Sequence, residues 1–344
     1  MLILGDLACP NSKCADALIK NIRQYELFQN KLILCNLEGI IKDDEPYSDE
    51  KLFNHSKVLD AFENGKTIFS MANNHTYDYP QDIQHTEDLL KQRGFFYNGI
   101  RCEKLTPVII EDVKDKYAIF THCWRVYTET NSNTSNEKRI IDYPYEVFFN
   151  EVKIFIERNK NIKVICYFHW NYDMETLPFP AHRKLAHELI DIGAFAVIGN
   201  HSHLPQGGEV YNGHVIVYGL GNFYIPSGYF FNGELTYPKE SKKMMVLELS
   251  ENIDDVLCHW FMTDEEECIK KIKTESFING EIITKVSPYR KMNDKEYIKY
   301  FKKNRVKRKL VPIFKEFRGF SYSFMEFIAI YRIKIIKFIK KDRK

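Results

Sequence analysis

Five short apolar runs in this 344-residue chain each end in a polar cluster able to bind a metal ion. Leu2-Ile3-Leu4 runs into Gly5-Asp6, and Leu32-Ile33-Leu34-Cys35 into Asn36-Leu37-Glu38. Ile68–Ala72 leads to Asn73-Asn74-His75, Val164–Phe168 to His169, and Ala196–Asn200 to His201-Ser202-His203. Such runs read as buried strands. In a parallel sheet the carboxyl ends of the strands share one edge, and ligands bind in the crevice outside it. Five distant positions are therefore expected to converge on one site. Singly, each cluster has an ordinary reading: a turn, a helix cap, a satisfied loop, a rim histidine. Their conjunction is what constrains the chain. Carboxylate, amide oxygen and imidazole together suit one or two divalent cations of the Mn, Zn or Fe kind. In His201-x-His203, alternate residues of an extended segment would point the same way.

Between the runs lie amphipathic stretches at Cys14–Tyr25, Ser56–Asn64, Pro80–Arg93, Pro144–Asn159 and Pro180–Ile192, with Pro80 suited to a first helical turn and Gly94 and Gly193 to helix stops. Alternation of strand and helix predicts an α/β fold with buried, largely parallel strands. Residues Asn131–Asn136 read as a polar loop, and Lys242–Leu249 with Asp255–Met262 as a hairpin completing a sheet. His122 follows the apolar run Tyr117–Phe120 and is a further candidate for the same edge, on the substrate side. His55, His85, His182, His187, His214 and His259 have plainer readings as surface, rim or helix residues.

Charge divides the chain in two. From Thr284 to Lys344 there are 20 Lys/Arg against 5 Asp/Glu, leaving 29 against 42 in the remainder. The expected organisation is one α/β domain over 1–283 and a basic helical extension over 284–344, whose partner is anionic. Phe320–Lys341 mixes large apolar residues with lysine at helical spacing, as a helix lying in a membrane interface does; packing on its own domain or on a second subunit is the equal alternative. The run Lys302–Lys309 lacks the interleaved aromatics of a nucleic-acid stacking surface, and no nucleic-acid partner is expected. The eight cysteines form no CxxC pair and are expected as buried thiols. Met1–Asp6 reads as a strand rather than a signal peptide, and no stretch is long enough to span a bilayer. A cytoplasmic location is expected, with peripheral attachment to the inner membrane face left open by the tail.

Gly5-Asp6, Asn36-Leu37-Glu38, Ala72–Asp78, His169-Trp170, Leu185–Ala194, Gly199–His203 and Tyr218–Phe223 keep the order of the CapA family of capsule and poly-γ-glutamate synthesis proteins, and over roughly residues 1–225 the chain resembles that family. The resemblance implies the layered α/β fold of calcineurin-like metallophosphoesterases. It implies Asp6, Glu38, Asn74, His169, His201 and His203 as metal ligands, with Glu38 bridging and Asn73 the alternative coordinating amide. It also implies His75 as general acid oriented by Asp78, with Asn222 and Glu209 behind the ligands or on the substrate side. Two departures stand out. Asp6-Leu7-Ala8 lacks the histidine of the usual Asp-x-His motif, and Glu38 replaces the bridging aspartate. Asp173, in His169-Trp170-Asn171-Tyr172-Asp173, stands near the place of the acid in the commoner His-Trp-Gly-x-Glu form. The implied function is metal-dependent hydrolysis of a phosphoester or related bond in an anionic polymer or its precursor. The competing reading is a non-catalytic, membrane-associated subunit of a capsule-synthesis complex.

Overall fold

The computed structural model describes residues 1–43, 51–100, 104–112, 115–131, 140–264, 267–306 and 311–341. Among the described residues, fourteen strands form two sheets: β1 (Leu2–Leu7), β2 (Ile33–Leu37), β3 (Thr67–Ser70), β4 (Phe96–Asn98), β5 (Val108–Glu111), β6 (Lys116–Cys123), β7 (Lys163–His169), β8 (Ala196–Asn200), β9 (Pro205–Tyr211), β10 (His214–Leu220), β11 (Asn222–Tyr224), β12 (Lys243–Glu248), β13 (Leu257–Thr263) and β14 (Ile269–Ser276). The first sheet runs β14-β13-β12-β1-β2-β3-β4 with β11 beside β1, and the second β5-β6-β7-β8-β10-β9. The helices are α1 (Ser12–Arg23), α2 (Ile83–Gln92), α3 (Arg125–Asn131), α4 (Tyr145–Arg158), α5 (Pro180–Asp191), α6 (Glu281–Thr284), α7 (Asp294–Asn304) and α8 (Gly319–Lys341).

The side-chain period of two sorts each strand between cores. In β7, Val164, Cys166 and Phe168 face a core shared with α4, α5, α7 and α8. The alternate Ile165 and Tyr167 join Ile3, Leu34 and Ile68 of the first sheet in a second core between the sheets. The outer face of the first sheet packs α1 through Ala15, Leu18 and Ile22. The layers are thus helix, sheet, sheet, helix, the α/β arrangement the resemblance implies. Instead of one open parallel sheet the chain stacks two: the second is parallel at its centre with an antiparallel strand at each margin, and the first is parallel from β1 to its β4 edge and antiparallel from β12 to β14. A sheet whose faces are both apolar needs cover on both, and the second sheet supplies it.

β12 and β13 pair as the expected hairpin, and β14 extends it. Asn131 ends α3, while the rest of the expected polar loop, like residues 307–309 of the basic run, lies outside the described residues. Ser56–Ala61 forms only a short 3₁₀ turn rather than a full helix. The basic extension shares the domain's own core: Tyr289, Tyr297, Phe301, Phe314, Phe317 and Tyr322 are buried beside Trp124 and Phe179. Six described cysteines are buried and Cys268 is half-buried, all as free thiols, and Cys102 lies outside the described residues. Among the described residues no helix is long and apolar enough to cross a membrane.

A candidate metal centre where the two sheets meet

The carboxyl ends of β1 and β2 in one sheet and of β7 and β8 in the other open on the same crevice. Asp6 is the last residue but one of β1, and Asn36 lies opposite it on β2. Asn36 Nδ2 donates to Asp6 Oδ1 at 2.8 Å and stands 3.3 Å from His169 Nδ1. The backbone N–H of His201 donates to Asp6 Oδ2 at 3.1 Å. Asp6 and His169 are thereby held across the sheet-to-sheet gap by one carboxamide. A side chain at Gly5 would collide with the carbonyl of Gly221, so glycine there lets the segment before β11 close on β1.

Glu38 follows β2 and is fully buried, yet among the described residues neither of its carboxylate oxygens has a hydrogen-bond partner. His75 Nε2 and His169 Nε2 lie 3.8 Å from Glu38 Oε1, and His203 Nε2 lies 4.0 Å away. Ligand atoms of Glu38, His169 and His201 lie within 4.8 Å of one another, as do those of Asp6, Glu38 and His203. Glu38 belongs to both triads. Burial, followed by the charge of Asp6, pushes the Glu38 carboxyl well above the usual range, and burial also raises Asp6 against the pull of His203. Burial lowers His169 and His203. A buried carboxylate without a hydrogen bond, gathered with a second carboxylate and several imidazoles, suits a cation.

The imidazoles are aimed by their neighbours. His203 Nδ1 donates to Asn222 Oδ1 at 2.7 Å, leaving Nε2 to face Glu38; fixing one ring nitrogen in this way is how ligating histidines are oriented. Asn222 is placed by register, since β11 sets it opposite Asp6. His201 and His203 lie not on an extended segment but on a turn, both left-handed with φ of 85° and 55°. A left-handed L-residue costs about 1–2 kcal/mol, and two so close together mark a constrained loop. His201 packs against the rings of Tyr127 and His169, with centroids 4.3 and 4.4 Å away, and its Nε2 is 2.9 Å from Asp173 Oδ1.

The loop after β3 is a 3₁₀ turn over Asn74–Tyr77. Residues i and i+3 eclipse in such a turn, which puts Asp78 Oδ2 2.6 Å from His75 Nδ1. Burial works to lower the His75 pKa, but Asp78, with Asp173 and Asp6, holds the imidazole above its ordinary value. The two amides left open by the sequence are separated here. Asn73 Oδ1 accepts from the backbone N–H groups of Gly39 and Thr76, both at 3.1 Å, so it caps the turn and both its lone pairs are engaged, while the Thr76 hydroxyl donates to the Met71 carbonyl at 2.7 Å. Asn74 Oδ1 instead meets His169 Nε2 at 2.7 Å.

Two substrate-side candidates lie elsewhere. His122 shares the phase of Phe168, faces the helix layer among Tyr145, Phe148 and Phe168, and bonds the Tyr143 carbonyl through Nε2 at 2.7 Å. Burial lowers its pKa to about 4. Glu209, on β9, is forked by Arg183 at 2.7 and 2.9 Å and accepts from the Tyr218 hydroxyl, a buried ion pair within the helix layer. Conversely, Asn36, Tyr127, Phe231 and Tyr237 belong to the crevice and were not singled out as site residues. The cavity above Glu38, about 750 Å³, is lined by Lys51, His75, Tyr127, Asp173, Phe231 and Tyr237 among others.

Two curated proteins are similar to this chain over about half of its length. The capsule biosynthesis protein CapA of Bacillus anthracis is 23% identical over 172 residues, 48% of this chain and 42% of that protein. The PGA biosynthesis protein CapA of Bacillus subtilis (strain 168) is 39% identical over 173 residues, 47% of this chain and 43% of that protein. The chain thus spans less than half the length of these curated relatives. Among solved structures, a sulfate thiohydrolase SoxB of Thermus thermophilus covers 75% of this chain and 42% of its own at 12% identity, with a TM-score of 0.43. The family described as bacterial capsule synthesis protein PGA_cap matches residues 12–227, a stretch carrying every residue of the centre except Asp6, and the chain belongs to that family.

Proposed function

We propose that this chain is a metal-dependent hydrolase that cleaves a phosphoester, or a related bond, in an anionic polymer or its precursor during capsule or surface-polymer synthesis. The observation that carries the reading is Glu38, buried with both oxygens unpartnered and three imidazole nitrogens within 4.0 Å of one of them. Asp6, Glu38, Asn74, His169, His201 and His203 would hold the ions. Divalent cations in such a setting supply Lewis acidity and a water of lowered pKa. The remaining work belongs to side chains. His75, backed by Asp78, holds a proton at Nε2 facing the crevice, where a departing alkoxide can take it, an effect of about 10²–10⁴-fold. Lys51 stands on the rim as a cation for an anionic substrate, and Tyr127, Phe231 and Tyr237 wall the cavity against water.

The experiment is turnover of aryl phosphates with added Mn²⁺ by the wild type, His75→Ala and His203→Ala. His75→Ala is expected to slow turnover by about 10²-fold or more, and His203→Ala to weaken metal dependence. Equal turnover by all three proteins rules the reading out. One observation favours the non-catalytic alternative: Ala8, two residues after Asp6, is buried and offers no nitrogen where the usual motif has histidine. A purified protein that retains at most a single ion and turns over no phosphoester would favour that subunit role.

A further inference from the structure

α8 carries two apolar faces. One packs on the protein: Tyr322 and Ala329 are buried and Met325 and Ile333 lie against the helix-layer core, with the Tyr322 hydroxyl accepting from Trp124 Nε1 at 2.9 Å. On the opposite side, Phe320, Phe324, Phe327, Tyr331, Ile335 and Phe338 are 49–86% exposed. Their spacing of four, three, four, four and three residues places them in one stripe along the helix. Scattered exposed apolar residues need no explanation, but a continuous stripe of aromatic and branched side chains marks an interaction surface.

Charge decides what that surface fits. Ile330–Lys344 contains seven basic residues and one acidic residue. Lys334 is exposed beside the stripe, and Arg332 flanks its other margin. Two copies of this helix laid face to face would bring like charges together, whereas anionic lipid headgroups complement them, each basic residue strengthening attachment about fivefold. The helix has 23 residues, about 34 Å in length, and is not apolar enough to cross a membrane. Basic residues flanking an apolar stripe suit a helix lying along the surface. We propose that α8 docks the protein on an anionic bilayer through Phe320, Phe324, Phe327, Tyr331, Ile335 and Phe338. Ile333, on the inner face, lines the cavity above Glu38, so the bilayer lies about one helix diameter, roughly 10 Å, from that rim. The docking does not depend on catalysis.

The test is co-sedimentation of the full chain with vesicles of phosphatidylcholine alone and of phosphatidylcholine with about one third phosphatidylglycerol, at low and high salt. Binding is expected on the mixed vesicles at low salt, weakened about tenfold or more by neutral lipid or by high salt. Phe327→Ser/Tyr331→Ser is expected to weaken it about tenfold or more, and Lys334→Glu by at least about fivefold. All three positions are exposed, so melting temperatures should match the wild type, and Lys334→Glu tests the proposal even if the aromatic pair perturbs folding. Absence of binding to mixed vesicles, or equal binding by the wild type and Lys334→Glu, overturns the proposal. So does a concentration-dependent dimer that Phe327→Ser/Tyr331→Ser abolishes, which would make a second copy of the chain the occupant of the stripe.

Discussion

Replacing Glu38 by Gln should stabilise the protein without metal and remove its response to metal. Glu38 is fully buried, both oxygens lack a hydrogen-bond partner among the described residues, and three imidazole nitrogens lie 3.8–4.0 Å from Oε1. Without a cation, folding must either neutralise this carboxylate or bury it unpaired, at a cost on the order of 1–3 kcal/mol for a polar group left unsatisfied. Glutamine has nearly the same shape and no charge, so much of that cost is relieved. An unfolding entropy of about 2.1 cal/mol/K per residue gives a chain of this size about 0.7 kcal/mol/K. The metal-free variant should therefore melt about 1–4 °C above the metal-free wild type. A ligand at a hundred times its Kd adds about 2.7 kcal/mol, so saturating Mn²⁺ should raise the wild type by about 4 °C and the variant by far less. Differential scanning calorimetry after chelation, with and without Mn²⁺, reads all four values. A metal-free Glu38→Gln protein that melts lower than the wild type, with an undiminished Mn²⁺ shift, would refute the reasoning, because the carboxylate would then be satisfied by protein rather than poised for a cation.

Asn222→Ala removes the acceptor that aims His203; calorimetric Mn²⁺ titration should show affinity reduced about 10–100-fold with the fold intact. Asn73→Ala strips an oxygen that two buried backbone N–H groups share and should cost about 2–3 kcal/mol in urea unfolding, whereas Asn74→Ala should chiefly weaken metal binding. Glu248 bonds His259 at 3.1 Å and Lys31 at 2.8 Å, and these hold its pKa down to about 2. Its stabilising contribution is fully present above the ordinary carboxylate value of 4.5 and is lost as pH falls from there through about 2. Glu248 is partly exposed and the effect is screened to on the order of 1 kcal/mol, so urea midpoints measured across that window should fall less steeply for Glu248→Gln than for the wild type.

The strand-end clusters were legible because backbone direction alone carries a strand's last residue to the sheet edge. Asp6, Glu38, Asn74, His169, His201 and His203 converge without any knowledge of which sheet each strand joins. Strand phase was legible too, had it been applied to His122. His122 is paired with Phe168, one residue before His169, so period two turns it toward α4 while its neighbour Cys123 lies opposite the ligand. Glu209 offered no such signal: its role is set by Arg183, an α5 residue brought to it only by tertiary packing. Asn36 stood within a recognised motif, but its hold on both Asp6 and His169 depends on the second sheet lying over the first. The choice between Asn73 and Asn74 turned on the turn's hydrogen bonds, which residue spacing does not encode. For α8 the sequence offered a membrane interface or packing on protein, either its own domain or a second subunit. The helix packs one face on its own domain and leaves the other exposed.

The pairing of Asp6 with Asn222 spans about two hundred residues, and it depends on Gly5 admitting Gly221 against its backbone. β1 therefore gains β2, and Asn36 beside its carboxylate, from nearby chain, but gains β11 only from a segment some two hundred residues on. A chain ending short of Asn222 would hold Asp6, Glu38, His169, His201 and His203 yet lack the side chain that fixes the His203 ring. The aim of that imidazole thus rests on a pairing of large sequence separation, a kind that forms slowly.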